Sequence, residues 1–193
     1  MVAPLSLIRI GWIVWLISWF AAAAWSDRTV QRPAIRHEIL YRVLTVAGAA
    51  LLFGFNPGGV RVDAPLWPVA PPIGWLLAGL VIYGFLLTWW ARIHLGQLWS
   101  SSVTRKEHHH VVDTGPYAIV RHPIYSGLLL AILATVLMRG TIITITGSAM
   151  IAASLYIKAR VEEEFLRQQL GEPYAAYARR VPMLVPFLRF GSR

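Results

Sequence analysis

The stretch Thr-Gly-Pro-Tyr-Ala-Ile-Val-Arg-His-Pro-Ile-Tyr-Ser-Gly, residues 114–127, decides how the rest of this chain is interpreted. Two turn signals, Gly115-Pro116 and His122-Pro123, stand close together within it. Because Pro123 has a fixed φ and no N–H, it suits the first turn of a helix that begins there. The stretch therefore predicts a short rigid elbow at the mouth of an apolar helix. The polar side chains of this elbow are Tyr117, Arg121, His122 and Tyr125.

The composition on both sides of the elbow is that of a membrane protein. Of the 193 residues, 56% are hydrophobic and only 14% are charged, which is more apolar sequence than one soluble core needs. The absence of cysteine excludes disulfides, thiolate nucleophiles and cysteine-based metal sites. The net charge of +9 comes from Arg and Lys in short segments beside apolar runs. We therefore expect a membrane topology signal and no nucleic-acid partner.

Apolar runs predict an all-α fold, a polytopic membrane helical bundle of about five transmembrane helices. The runs are Leu5–Trp25, Ile39–Phe55, Ile73–Ala91, Ile124–Met138 and Thr141–Ile157. The first is interpreted as a retained span, with a cleaved signal peptide as the alternative. The last two are short, and their junction at Arg139-Gly140 favours a helical hairpin over a broken re-entrant pair. Three spans then fall in residues 1–91, and residues 92–193 hold a polar loop, two short spans and a solvated C-terminal helix from Lys158.

Lys and Arg predict the orientation of these spans. They are concentrated in the first connector, in the Arg92–Arg121 segment and in the tail from Lys158, whereas the two intervening turns hold one each. By the positive-inside rule, the elbow and the C-terminus face the cytoplasm and the N-terminus lies outside. The sequence therefore predicts a multi-pass protein, expected in a prokaryotic inner membrane, with a cytoplasmic C-terminal region.

Charged residues on that face suit a zwitterionic ligand. Arg121 and His122 are cationic candidates, and Glu162 to Glu164 form an anionic cluster. Tyr117, Tyr125 or Trp99 would offer an aromatic face to a cation or an adenine ring. Other interpretations stay open at this point. In these alternatives none of the residues binds a ligand. Arg121 sets the membrane topology, and the glutamates form a solvated helix face. The aromatic residues anchor the chain at the membrane interface.

Histidines 108–110 are a weak metal signal. Three consecutive histidines cannot all point at one ion from regular structure, and no carboxylate–histidine helical motif accompanies them. The sequence therefore predicts no metal site. Walker, dinucleotide-binding and G-x-S-x-G hydrolase motifs are missing as well.

The C-terminal half resembles the isoprenylcysteine carboxyl methyltransferase family, within a wider group of membrane methyltransferases that includes phospholipid N-methyltransferases. The order and spacing of the matching residues are those of the family from Leu95 to Pro186, close to half of the chain. These residues are His94-Leu95-Gly96 with Trp99-Ser100, His110-Val111-Val112, Gly115-Pro116-Tyr117, Val120 to Tyr125 with Gly127, and Glu162-Glu163 with Leu166, Gly171, Tyr174 and Tyr177.

The resemblance implies that S-adenosyl-L-methionine binds on the cytoplasmic side. The cofactor-binding residues that it implies are His110, Val111, Val112, Gly115, Tyr117, Arg121, His122, Glu162 and Glu163. It implies an integral membrane methyltransferase for a lipophilic or prenylated acceptor that enters from the lipid. Arg121, His122 and Tyr125 are the catalytic candidates.

We expect the acceptor to be a carboxylate, because a carboxylate is ionised at neutral pH and requires only positioning. An amine acceptor, as in phospholipid N-methylation, would instead need a base such as His122. A membrane scaffold without enzyme activity is the further alternative.

Overall fold

The computed structural model describes residues 3–22, 29–31, 35–54, 64–96, 99, 105–106 and 111–188. Across these ranges the fold is a helical bundle, as the apolar runs predict. The helices are α1 (Pro4–Ala21), α2 (Ile35–Phe53), α3 (Pro71–Leu95), α4 (Pro123–Arg139), α5 (Ile142–Leu170) and α6 (Glu172–Arg180). Two short strands, β1 (Thr29–Gln31) and β2 (Arg105–Lys106), pair antiparallel. A single turn of 3-10 helix covers Gly115–Ala118 in the elbow.

Three helices, α1, α3 and α5, are long and apolar enough to cross a membrane. The apolar helix α4 has 17 residues, and α2 has 19 residues with charged side chains in its first half. The molecule is therefore an integral membrane helical bundle, whereas the number of five crossings stays a prediction. The ends of α1 to α4 differ from the apolar runs by at most four residues, since polar residues and prolines at the ends also adopt helix.

Helix α5 differs from the expected arrangement. The run Thr141–Ile157 and the charged segment after it form one continuous helix of 29 residues, capped at its start by the Thr141 side chain. The segment from Lys158 is not wholly solvated either, because Glu163 is buried. One side of this segment packs against the elbow and the other meets water, so hydropathy alone does not mark it as part of the bundle.

Glycines set the distance between the two helices within each of the pairs α3–α4 and α2–α5. Where α3 crosses α4, a Cβ on Gly84 would lie only 2.5 Å from the carbonyl oxygen of Gly127. Where α2 crosses α5, a Cβ on Gly48 would lie 2.6 Å from the carbonyl oxygen of Gly147. Because only glycine allows such contact between backbones, these crossings hold the four helices at close range.

Helix α1 joins this framework through two indole hydrogen bonds. Trp12 Nε1 donates to Thr135 Oγ1 on α4 at 3.0 Å, and Trp15 Nε1 donates to Thr88 Oγ1 on α3 at 2.8 Å. Each bond satisfies a buried polar group where water is absent. Helix α1 is thereby fixed with Trp12 and Trp15 directed into the bundle.

Candidate active site

A cavity of about 680 Å³ lies inside the bundle and reaches the elbow. Its volume falls in the ~300–1,000 Å³ range of ligand pockets in proteins. One end is polar and is lined by Arg121, His122, Tyr125, Lys158 and Glu162. The other end is apolar and is lined by residues of α1, α2, α4 and α5. Examples are Trp12, Leu52, Phe53, Ile132 and Ile151. The cavity thus connects a charged pocket to space among the apolar helices.

A bidentate ion pair joins the elbow to α5 beside this cavity. Arg121 Nε donates to Glu163 Oε1 at 2.7 Å, and Arg121 Nη2 donates to Glu163 Oε2 at 2.9 Å. The side chains are only 11% and 7% exposed, respectively. Fork-on-fork pairing of this kind combines charge with fixed geometry. The pair therefore sets how the elbow sits on α5.

The remaining contacts of Arg121 go to the last turn of α6 and to the segment after it. Its Nη1 donates to the carbonyl oxygens of Ala178 and Val181, and its backbone N–H donates to Pro182 at 2.9 Å. The backbone N–H of His122 donates to Met183 at 3.1 Å. These bonds tie the chain around Pro182 back onto the elbow. The bidentate edge of Arg121 is thus occupied by protein groups rather than directed at a ligand.

His122 lies between two carboxylates. Its Nε2 is 3.0 Å from Glu163 Oε1, and its Nδ1 is 3.3 Å from Glu162 Oε2. A neutral imidazole has only one N–H, so two carboxylate partners favour the imidazolium. Burial alone lowers the pKa of His122, but hydrogen bonds and charge from Glu162 and Glu163 outweigh burial and raise the pKa above its usual value. The two carboxylates therefore favour the protonated form of His122.

The two adjacent glutamates have different surroundings. Glu163 also accepts from the Tyr174 hydroxyl at 3.0 Å, so its oxygens are held by the elbow and α6. Glu162 lines the cavity, where its Oε1 accepts from the Tyr125 hydroxyl at 2.7 Å. The rings of Tyr125 and His122 stack with centroids 5.3 Å apart. Of the two glutamates, Glu162 is thus the one whose side chain lines the cavity.

Tyrosines from the elbow and α6 complete the polar end. The Tyr177 hydroxyl donates to the carbonyl oxygen of Tyr117 at 2.7 Å, which fixes α6 against the 3-10 turn. Burial, followed by the negative charge of Glu162, raises the pKa of Tyr117. Burial and Glu163 likewise raise the pKa of Tyr174. These phenols are therefore neutral near pH 7, where they serve as hydrogen-bond donors and as apolar walls of the site.

The structure brings most of the site residues predicted from sequence into one place. On the cavity wall are Val111, Val112, Tyr117, Arg121, His122, Tyr125 and Glu162. Glu163 lies behind the wall in the ion pair. Gly115, with φ +57°, shapes the turn, since a Cβ there would lie 2.7 Å from the His94 ring. His110 lies outside the described residues, and the roles of all these residues stay predictions.

Sequence reasoning missed the contribution of the first two helices. Tyr41 and Arg42 of α2 and Trp19 of α1 line the cavity, and so does Lys158 of α5. Tyr41 and Trp19 look like ordinary interfacial aromatic residues in the sequence. The signal that could have identified Lys158 is its spacing, because it stands one helical turn before Glu162.

No group of three or more potential metal ligands occurs among the residues that the structure describes. Histidines 108 to 110 lie outside those ranges, so the prediction of no metal site is untested at this position.

These features define a class of protein: an integral membrane helical bundle whose cavity joins a charged pocket to the apolar space between helices. Comparison with known proteins gives the family. The model of the isoprenylcysteine carboxyl methyltransferase (ICMT) family matches residues 77–168, from within α3 to near the end of α5. The chain belongs to this family, as its Arg-His-Pro elbow and paired glutamates predict.

Individual relatives carry several names. Protein-S-isoprenylcysteine O-methyltransferase B of Arabidopsis thaliana is 35% identical over 112 residues, which cover 56% of this chain and 57% of the relative. The cobalt-zinc-cadmium resistance protein CzcN of Cupriavidus metallidurans is 32% identical over 166 residues, 84% of this chain and 69% of that protein. Methanethiol S-methyltransferase of a Pseudomonas species is 31% identical over 169 residues, 80% of this chain and 61% of the enzyme. The chain thus spans little more than half of the length of the Arabidopsis relative.

Proposed function

We propose that this protein is an integral membrane S-adenosyl-L-methionine-dependent methyltransferase for a lipophilic acceptor that carries a carboxylate or a thiol. The observation that carries the proposal is that one cavity has both a charged end and an apolar end. A water-soluble donor and a membrane-soluble acceptor need such a shared space, because they approach from different solvents. Relatives named as O- and S-methyltransferases support the reaction type.

The polar end suits S-adenosyl-L-methionine, which bears a sulfonium, an ammonium, a carboxylate and an adenosine. Glu162 provides a carboxylate for a cationic or hydroxyl group, and Tyr117, Tyr125 and Tyr174 provide aromatic walls. When bound, this cofactor would supply an electrophilic methyl group. Val111 and Val112 would border it, and we assign His110 to the same pocket by its place in the sequence. Gly115 and Glu163 would act indirectly, by shaping the turn and by holding Arg121.

The residues of the site have two tasks in this reaction, positioning and exclusion of water. Methyl transfer is an in-line displacement, so aligning the acceptor with the methyl group supplies much of the acceleration. Arg121 and Glu163 hold the elbow on α5, and His122 bridges Glu163 to Glu162. Tyr125 orients Glu162 through its hydroxyl. The apolar walls keep the acceptor poorly solvated, which favours attack by an anion.

The state of His122 favours an acidic acceptor over an amine. Since both ring nitrogens face carboxylates, the imidazolium has no lone pair with which to remove a proton from an ammonium. A carboxylate, with a pKa of about 3.5, needs no base, and a thiol, with a pKa of about 8.5, ionises readily beside a cation. Phospholipid or other amine N-methylation is therefore the second choice.

For the membrane arrangement we propose that the polar end of the cavity faces the cytoplasm of a prokaryotic cell, with the N-terminus outside. Arg and Lys near the elbow and α6 support this orientation. We propose a prenylated or otherwise lipophilic small molecule as partner, surrounding membrane lipid, and no nucleic acid.

Binding of radiolabelled S-adenosyl-L-methionine to the detergent-purified protein tests the proposal. We expect saturable binding that the demethylated product, S-adenosylhomocysteine, displaces and that Glu162→Gln weakens. Incubation with total lipid extract should then give a labelled, base-labile ester if the acceptor is a carboxylate, or a base-stable thioether if it is a thiol. A purified, folded protein that binds no donor would instead support the scaffold alternative.

A further inference from the structure

Lys158 is a cation in the cavity that the roles above do not use. It lies on α5 one turn before Glu162, and its side chain forms part of the cavity wall. Its Nζ is 5.5 Å from the ring centroid of Tyr125 and 5.8 Å from that of Tyr41. The ammonium is thus placed between aromatic rings of α4 and α2.

The position of Lys158 along α5 marks where the cavity changes character. Ser154, Leu155 and Ile151 precede it by one and two helical turns, and all three line the cavity. Glu162 follows it by one turn on the same wall. Lys158 therefore stands at the boundary between the apolar end and the charged end, where the polar head of a membrane-soluble acceptor must come to rest.

The charged groups around Lys158 come from α5 and from the first half of α2. Those that act on it are Glu162, one turn further on, and Glu38 and Arg42 near the start of α2. Glu38 and Arg42 pair with each other at 2.6 Å, so part of their charge cancels. An ammonium in apolar surroundings gains from an additional anion much more than one in water does.

We infer that Lys158 is the residue that receives the anionic head of the acceptor and selects it over neutral amphiphiles. The inference rests on the proposed function, because it assigns a role within the same cavity. The apolar chain of the acceptor then runs among α1, α2, α4 and α5, while its carboxylate or thiolate lies against the Lys158 ammonium. With a thiol acceptor, the same ammonium favours the reactive thiolate.

Native mass spectrometry of the full chain in a neutral detergent tests the inference without any need for turnover. The probes are myristate and its uncharged methyl ester, which share one apolar chain. We expect the wild-type protein to prefer myristate by roughly ten- to a hundredfold, the size of a charge-assisted hydrogen bond. Lys158→Met should remove this preference, and Lys158→Arg should keep most of it.

Arg160→Met is the matched control, since Arg160 is an exposed cation on the same helix that does not line the cavity. It should leave the preference for myristate unchanged. Binding of S-adenosylhomocysteine to Lys158→Met shows whether the fold and the donor pocket are intact. An equal preference for myristate in wild type and a folded Lys158→Met variant would overturn the inference. Failure of the wild-type protein to bind S-adenosylhomocysteine would count against the proposed function instead.

If a methylated acceptor is identified, the same variants separate positioning from structure. Lys158→Met should raise KM for the acceptor by roughly tenfold or more while KM for the donor stays constant, because a charge-assisted contact to one substrate is lost. A uniform loss of kcat with unchanged KM would contradict a role in acceptor binding.

Discussion

Replacing Glu163 with glutamine tests whether the ion pair with Arg121 holds the candidate active site together. The change keeps the size of the side chain but removes its charge, and it places an amide where the carboxylate accepts from Arg121, His122 and Tyr174. Removing one partner of a buried ion pair costs about 3–5 kcal/mol, because the other charge stays buried without compensation. His122 is able to release its proton, but the guanidinium of Arg121 cannot.

That free energy should appear as a lower melting temperature. For a chain of this length, each kcal/mol corresponds to about 2–4 °C, so Glu163→Gln should melt about 6–20 °C below wild type. The assay is thermal unfolding of the purified protein in one detergent, followed by the fluorescence of the bundle tryptophans. Circular dichroism should show the same helix content at low temperature.

Glu164→Gln is the control for this experiment. Glu164 is exposed on the same helix and interacts with Gln168 at 2.7 Å. Its replacement should change the stability by less than about 0.5 kcal/mol, as is usual for surface positions. If Glu163→Gln melts within about 2 °C of the control, the Arg121–Glu163 pair does not hold the elbow on α5 and the reasoning is refuted.

Four further predictions concern other parts of the structure. Glu162→Gln should reduce the affinity for the donor more than Glu163→Gln does, as measured by ligand binding. It should lower the melting temperature less, as measured by thermal unfolding. Arg121→Ala should abolish turnover and lower the melting temperature, and Arg121→Lys should restore little of either, because lysine cannot form the bidentate pair. Gly84→Ala should destabilise the bundle by about 1–3 kcal/mol through contact with the α4 backbone, whereas Gly79→Ala, with open space at its Cβ, should be tolerated in the same unfolding assay. The folded-state pKa of His122 is raised. Its protonated form therefore stabilises the fold fully below about pH 6.5, and this stabilisation is lost as the pH rises through the folded-state pKa. The melting temperature should therefore fall with rising pH more steeply in wild type than in His122→Gln.

Local chemistry in the sequence predicted the elbow and the bundle. Pro123 begins α4 and Gly115 adopts a positive φ, as turn and helix-start preferences require. Hydropathy located the helices for a similar reason, since each apolar run must satisfy its own backbone within the membrane. These features depend on neighbouring residues only.

The partners of Arg121 were beyond sequence reasoning. From its residue type Arg121 was expected to be a cationic contact for a ligand, yet Glu163 accepts from its bidentate edge and the carbonyl oxygens of Ala178 and Val181 accept from its Nη1. Carbonyl acceptors leave no trace in a sequence, because every residue has one. The positions of Trp12 and Tyr41 on the cavity wall could not be predicted from the sequence either, because they depend on how α1 and α2 pack.

The different contacts of Glu162 and Glu163 follow from the geometry of an α-helix. Successive side chains point about 100° apart, so two adjacent glutamates on α5 have different surroundings. Glu163 faces the elbow and is held by Arg121, whereas Glu162 faces the cavity beside Tyr125. His122 contacts both, so we expect a displacement of the elbow to reach Glu162, the carboxylate that lines the cavity. A substitution at Glu163 should for this reason weaken donor binding even in the fraction of protein that stays folded, and a donor affinity equal to that of wild type in this fraction would show that the two glutamates act independently.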